Sequence, residues 1–143
     1  MSMTERSPLG TTEVFEAAAF RVSRVVRRLL AEHPGLPLKE IRPSARADGF
    51  GGTRSAQVEL DPREVDGVRA WAEALGAEVQ VKFYDTTAGC PAFESHKATV
   101  EVDGVEVEIA CTRSLSDDEA QTWRTGQDLA NAGEPGGQSG GAR

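Results

Sequence analysis

The sequence predicts an α+β fold: an antiparallel sheet of four to five strands packed on two helices, in the order α-β-β-α-β-β-β. Three observations carry that expectation. Apolar residues recur at helical spacing between residues 11 and 32, a second helix is marked at both ends after Asp61, and an Asp-Gly turn separates two alternating apolar runs near residue 103.

The first helix is expected from about Thr11 to Glu32, with Thr11 or Thr12 as N-cap. Phe15, Ala18, Ala19, Val22, Val25, Val26 and Leu29 fall on one face, and Arg21, Arg24 and Arg28 on the other. His33-Pro34-Gly35 ends it, because proline disfavours helical geometry in the residue before it and glycine permits the exit turn. Leu38 to Ser44 then reads as a short edge strand, since Pro37 and Pro43 each lack a ladder donor. Asp48 to Gly52 is a glycine-rich turn, and Ala56, Val58 and Leu60 alternate with Gln57 and Glu59 as a strand. That turn carries neither of the glycine patterns that cradle phosphate, so a hairpin is expected.

The second helix is expected to be capped by Asp61, with Pro62 at its first position and Glu64 completing a capping box. Val65, Val68, Trp71, Ala72 and Leu75 make its apolar stripe, and Gly76 its stop. Gly67, inside the stripe, costs about 1 kcal/mol relative to alanine and so implies a close packing contact. Three strands follow: one through Val79, Val81 and Phe83, and two joined by Asp103-Gly104. A two-residue turn sets their register, with Val102 opposite Val105, Val100 opposite Val107, Ala98 opposite Ile109 and His96 opposite Cys111. The other face sets Glu101 against Glu106, a like-charge pair that calls for a nearby cation such as Lys82. Ser116 and Glu119 form a further capping box for a short helix through Trp123. Residues 1–10 read as a flexible arm, 11–124 as a single domain, and 125–143 as a disordered glycine-rich tail.

Composition excludes several functions. The 143 residues are 38% hydrophobic and 27% charged, without an apolar run of the roughly 20 residues that span a bilayer and without a signal-peptide core. A soluble, cytoplasmic protein is expected, without a membrane partner. The net charge of -7 is uneven: residues 1–60 hold 9 basic and 7 acidic residues, whereas 61–143 hold 7 and 16. Such a balance argues against direct nucleic-acid binding. Thirteen of the sixteen basic residues are arginine, a bias that suits bidentate anion recognition but also follows from GC-rich coding.

Four constellations could carry chemistry. Cys111 beside His96 is a candidate thiol–imidazole pair for nucleophilic catalysis. Together with Cys90 they could supply three zinc ligands, with Asp85 or Glu94 as a fourth; a Cys90–Cys111 disulfide is a further alternative. Arg21, Arg24, Arg27 and Arg28 form a basic helical stripe, which could meet an acidic partner, pair with acids on the sheet or oppose the helix dipole. Glu101, Glu106 and Glu108, with Asp103 and Asp117 to Glu119, form an acidic surface that could meet a basic partner or mimic a nucleic acid.

His33 to Pro37 (HPGLP), Val68 to Gly76 (VRAWAEALG) and Val100 to Ala110 (VEVDGVEVEIA) together resemble small uncharacterised proteins of GC-rich actinobacteria, some carried on prophages or other mobile elements. The likeness spans Glu13 to Ala110. It implies a helix–two strands–helix–strands unit and brings no catalytic residues or cofactor. The expected function is therefore a non-enzymatic interaction module for an unknown protein or for itself, acting through the acidic sheet face or the N-terminal helix. A nucleic-acid-associated or nucleic-acid-mimicking accessory protein, and then a Cys/His enzyme or zinc site, are the alternatives.

Overall fold

The computed structural model describes residues 5–49, 54–86 and 90–133. Its elements are α1 (Pro8–Glu32), β1 (Glu40–Ala47), β2 (Arg54–Asp61), α2 (Val65–Leu75), β3 (Gln80–Tyr84), β4 (Phe93–Val102), β5 (Val105–Ser114) and α3 (Asp117–Gly133). The α+β class and the element order are as expected. The sheet has five strands in the order β1-β2-β5-β4-β3 and is mixed rather than wholly antiparallel, because β2 and β5 run parallel. The hairpin of β4 and β5 lies between β2 and the edge strand β3, so β2 meets a strand that is far away in the chain.

The chain divides into two compact units, where the sequence suggested one domain. One holds α1, β1, β2, α2 and the turn end of the β4–β5 hairpin, from His96 to Cys111. The other holds most of β3, the far ends of the hairpin strands and α3.

In the first unit, Val22, Val25 and Leu29 of α1 and Val68, Trp71 and Ala72 of α2 bury one face of the sheet. They meet Val58, Leu60, Ala98, Val105, Val107 and Ile109 there. Burial along α1 begins only at Ala18, and Phe15, expected inside, is 44% exposed. The first turns of the helix lie beyond the core. The helix also starts earlier than Thr11. Ser7 is its N-cap and accepts from the Gly10 N–H at 3.0 Å, with Pro8 opening the first turn. Arg6, placed in the expected arm, donates from its backbone to Gly49 at 2.6 Å and from its side chain to the Asp48 carbonyl at 2.9 Å.

The β1–β2 hairpin pairs Glu40 with Asp61 through to Ala47 with Arg54, so the edge strand runs three residues past Ser44. Phe50, Gly51 and Gly52 of the expected turn lie outside the described residues. Asp61 does not cap α2. It remains within β2 and accepts from the Arg63 N–H at 3.1 Å, and the helix begins at Val65 after Glu64, which makes no side-chain cap bond. Gly76 ends α2 in the left-handed region, at φ 72°. Gly67 has the close contact its position implied: a Cβ there would stand 2.7 Å from the Pro62 Cβ and 3.0 Å from the Pro37 Cγ.

Asp103 and Gly104 both have positive φ, 50° and 80°, as a type I′ turn requires. The Leu115 N–H reaches the Ala92 carbonyl at 2.9 Å, the partner the predicted register assigns when extended to that end of the strands.

In the second unit, Ala92, Leu115 and Ala120 form a small core against Phe83 and Trp123. Helix α3 runs ten residues past Trp123, into the stretch expected to be a disordered tail. Its start is the expected capping box: Glu119 N–H to Ser116 Oγ at 3.2 Å, and Ser116 N–H to Glu119 Oε1 at 2.9 Å.

Candidate functional site

Helix α1 brings two of the sequence candidates together. Arg28 donates to Asp103 at the hairpin tip at 2.8 Å and to Glu32, one turn on, at 3.1 Å. Both carboxylates, Glu32 first, raise its pKa above the ordinary guanidinium value. Arg28 is therefore the strut between helix and hairpin, a role in which its charge is already satisfied. Beside it a groove of about 400 Å³ is lined by Arg28, Glu32, His33, Glu101 and Asp103 among others. A second hollow of about 320 Å³ adjoins Arg21, Arg24, Val25 and Asp103. The two hollows share Asp103.

Arg21 and Arg24 differ from Arg28, since neither forms an ion pair among the described residues. The Arg24 guanidinium lies 5.8 Å from the Phe20 ring centroid, and Phe20 is 64% exposed. The arginines do not serve the helix dipole. That effect is confined to the terminal turns, and the last turn of α1 holds no basic residue.

Some acids of the sheet are paired within it. Arg42 spans Glu40 at 2.9 Å and Glu59 at 3.1 Å, and both carboxylates, Glu59 first, raise its pKa. The parallel register sets Glu59 beside Glu108 and Gln57 beside Glu106. Lys97 reaches the half-buried Glu108 at 4.0 Å, while among the described residues Lys82, the expected cation, forms no ion pair with Glu101 or Glu106. Glu101 and Glu106 are exposed, and Glu101 faces the groove beside α1.

The register places buried His96 across from half-buried Cys111. The Cys111 Sγ donates to the Arg63 carbonyl at 3.6 Å. Cys90 is exposed in its loop, and its carbonyl accepts from Thr86 at 2.6 Å. Among the described residues no disulfide forms, and no three His, Cys, Asp or Glu side chains come together as a metal site. The two possible fourth ligands are otherwise engaged. Asp85 takes a bidentate bond from Arg124, both arms 2.8 Å, which lowers its pKa.

Glu94 is the residue whose role the sequence did not reveal. It is 9% exposed and accepts from the Trp123 indole at 2.7 Å and from Arg113 at 3.2 Å, while Arg113 also holds Glu119 at 2.8 Å. The capping box and Trp123 were visible signals for a docked helix, but the buried carboxylate that receives the indole had no local signature.

No known family, curated protein or solved structure matches the chain. Among the described residues, no helix is long and apolar enough to cross a membrane.

Proposed function

We propose that this chain is a non-enzymatic protein-interaction module and that α1 is its docking surface. One observation carries the reading: the outward side of α1 exposes Phe20 among charged residues that form no ion pair among the described residues, whereas on the sheet Glu40, Glu59 and Glu108 are held by Arg42 and Lys97. An exposed aromatic ring flanked by uncommitted arginine has the composition of an interface centre, where aromatic residues and arginine are enriched. Val22, Val25 and Leu29 pack the opposite side of the helix into the core, so the outward side is presented by a supported element.

A photo-crosslinking amino acid placed at position 20, and separately at position 106 on the sheet face, tests this in cells that carry the protein. Covalent adducts to protein are expected from position 20 and not from position 106. Adducts from position 106 alone, or from neither, would overturn the assignment to α1.

A further inference from the structure

The outward residues of α1 follow a heptad. Leu9, Glu13, Glu16, Phe20, Ser23, Arg27 and Leu30 are separated by alternating steps of four and three, and every one is exposed. Ala17, Arg24 and Ala31 flank this seam and are exposed as well. The buried stripe of Ala18, Val22, Val25 and Leu29 lies on the opposite side of the helix. Along the seam the charge reverses: acidic at 13 and 16, aromatic at 20, basic at 24 and 27.

Apart from the Arg24–Phe20 contact, no contact given among the described residues uses that pattern. Glu13, Glu16, Arg24 and Arg27 form no ion pairs among the described residues. The first turn of α1 has no acidic residue and the last no basic one, so the charges sit outside the reach of the helix termini. Within the helix, Glu13 and Glu16 are like charges three residues apart, as are Arg24 and Arg27, and such neighbours oppose helix formation.

Resting on the reading of α1 as the docking surface, we propose that its partner is a second copy of the same chain, with the two α1 helices packed antiparallel about a two-fold axis through Phe20. Reversal about residue 20 sets Glu13 against Arg27 of the second copy and Glu16 against its Arg24. It also sets Phe20 on Phe20, Ala17 beside Ser23 and Leu9 beside Ala31. Each two-fold contact occurs twice, so the dimer gains four acid–base contacts around one aromatic centre. The like-charge neighbours of the lone helix then face opposite charge. A parallel arrangement would place acid on acid and base on base, which selects the antiparallel one. The seam from Leu9 to Ala31 is about 33 Å long at the helical rise of 1.5 Å per residue, and its heptad suits a left-handed crossing near +20°.

Sedimentation velocity on the pure full-length chain at low salt tests the pairing. The wild type is expected at twice the monomer mass, with dissociation favoured by high salt. The double variant Glu13→Arg/Glu16→Arg carries only basic seam charges, and Arg24→Glu/Arg27→Glu only acidic ones. Each is expected to weaken self-association at least roughly tenfold, and an equimolar mixture to regain the dimer mass. Circular dichroism confirms that both variants keep their helices. A wild type that stays monomeric at millimolar concentration, or swapped variants that dimerise as the wild type does, overturns the proposal. A monomeric wild type whose position-20 crosslinker still captures another protein removes self-pairing and leaves the docking reading of α1 standing.

Discussion

Arg28 of α1 donates to Asp103 at 2.8 Å and so joins the first helix to the tip of a hairpin 75 residues away in the chain. Both side chains are about half exposed or more, so the contact is open to salt. Asp103→Asn keeps a residue that tolerates the left-handed turn and removes the charge. Amide exchange at Val102 to Val105 is expected to quicken relative to wild type at low salt and to match it near 1 M salt. Equal exchange at low salt would show that the contact does not restrain the tip.

Glu119 has its pKa lowered to about 2, by the Ser116 backbone N–H first and by Arg113 next. In the unfolded chain the carboxyl titrates at its ordinary 4.5, so acid protonates the unfolded state first. Its contribution is complete above pH 4.5 and fades as pH falls toward 2. Carbon-13 NMR of the Glu119 carboxyl is expected to show that low midpoint, and Glu119→Gln to flatten the acid dependence of α3 helicity. A midpoint near 4.5 would mean that the cap does not hold in solution.

Gly67→Ala opposes helix propensity to packing. Alanine gains about 1 kcal/mol in a helix, but its Cβ would stand 2.7 Å from the Pro62 Cβ and 2.9 Å from the Pro62 carbonyl. Overpacking of a close site costs about 1–3 kcal/mol, so the variant is expected to melt at a lower temperature than wild type. Calorimetry that finds it more stable would show that Pro62 yields.

Trp71 is 1% exposed, and its indole N–H donates to the Pro37 carbonyl at 2.6 Å. Trp71→Phe keeps an aromatic ring but leaves that carbonyl without its donor. A loss of about 1–3 kcal/mol in urea denaturation is expected. A neutral substitution would indicate that water reaches Pro37.

The two cysteines separate by exposure. A neutral thiol reagent is expected to label Cys90 well before Cys111, whose Sγ donates to the Arg63 carbonyl. Faster labelling of Cys111 near neutral pH would favour the Cys111–His96 pair as a nucleophile.

Much of the fold was legible because it depends on neighbours in the chain. The three- and four-residue spacing of Ala18, Val22, Val25 and Leu29 determined which side of α1 is buried. Asp103-Gly104 determined the hairpin turn and its register, and Gly76 the end of α2, since both rest on backbone angles that few residues accept. Gly67 announced its own tight contact. The capping-box pattern at Asp61 misled because β2 retains that residue, and the competing ladder has no signature within four residues of it.

Tertiary structure alone decided the rest. It set β5 beside β2 in parallel, left Phe15 outside the core, gave Glu94 to Trp123, and sorted the arginine stripe into an ion-paired Arg28 and an Arg21 and Arg24 that form no ion pair among the described residues. Local dihedral preference and residue periodicity are short-range properties, readable from the chain. Which strand lies beside which, and which charge finds a partner, depend on groups brought together from dozens of residues apart. The exposed heptad of α1 belongs to both: its spacing is in the sequence, and only the packing of the opposite side shows that it is left facing outward.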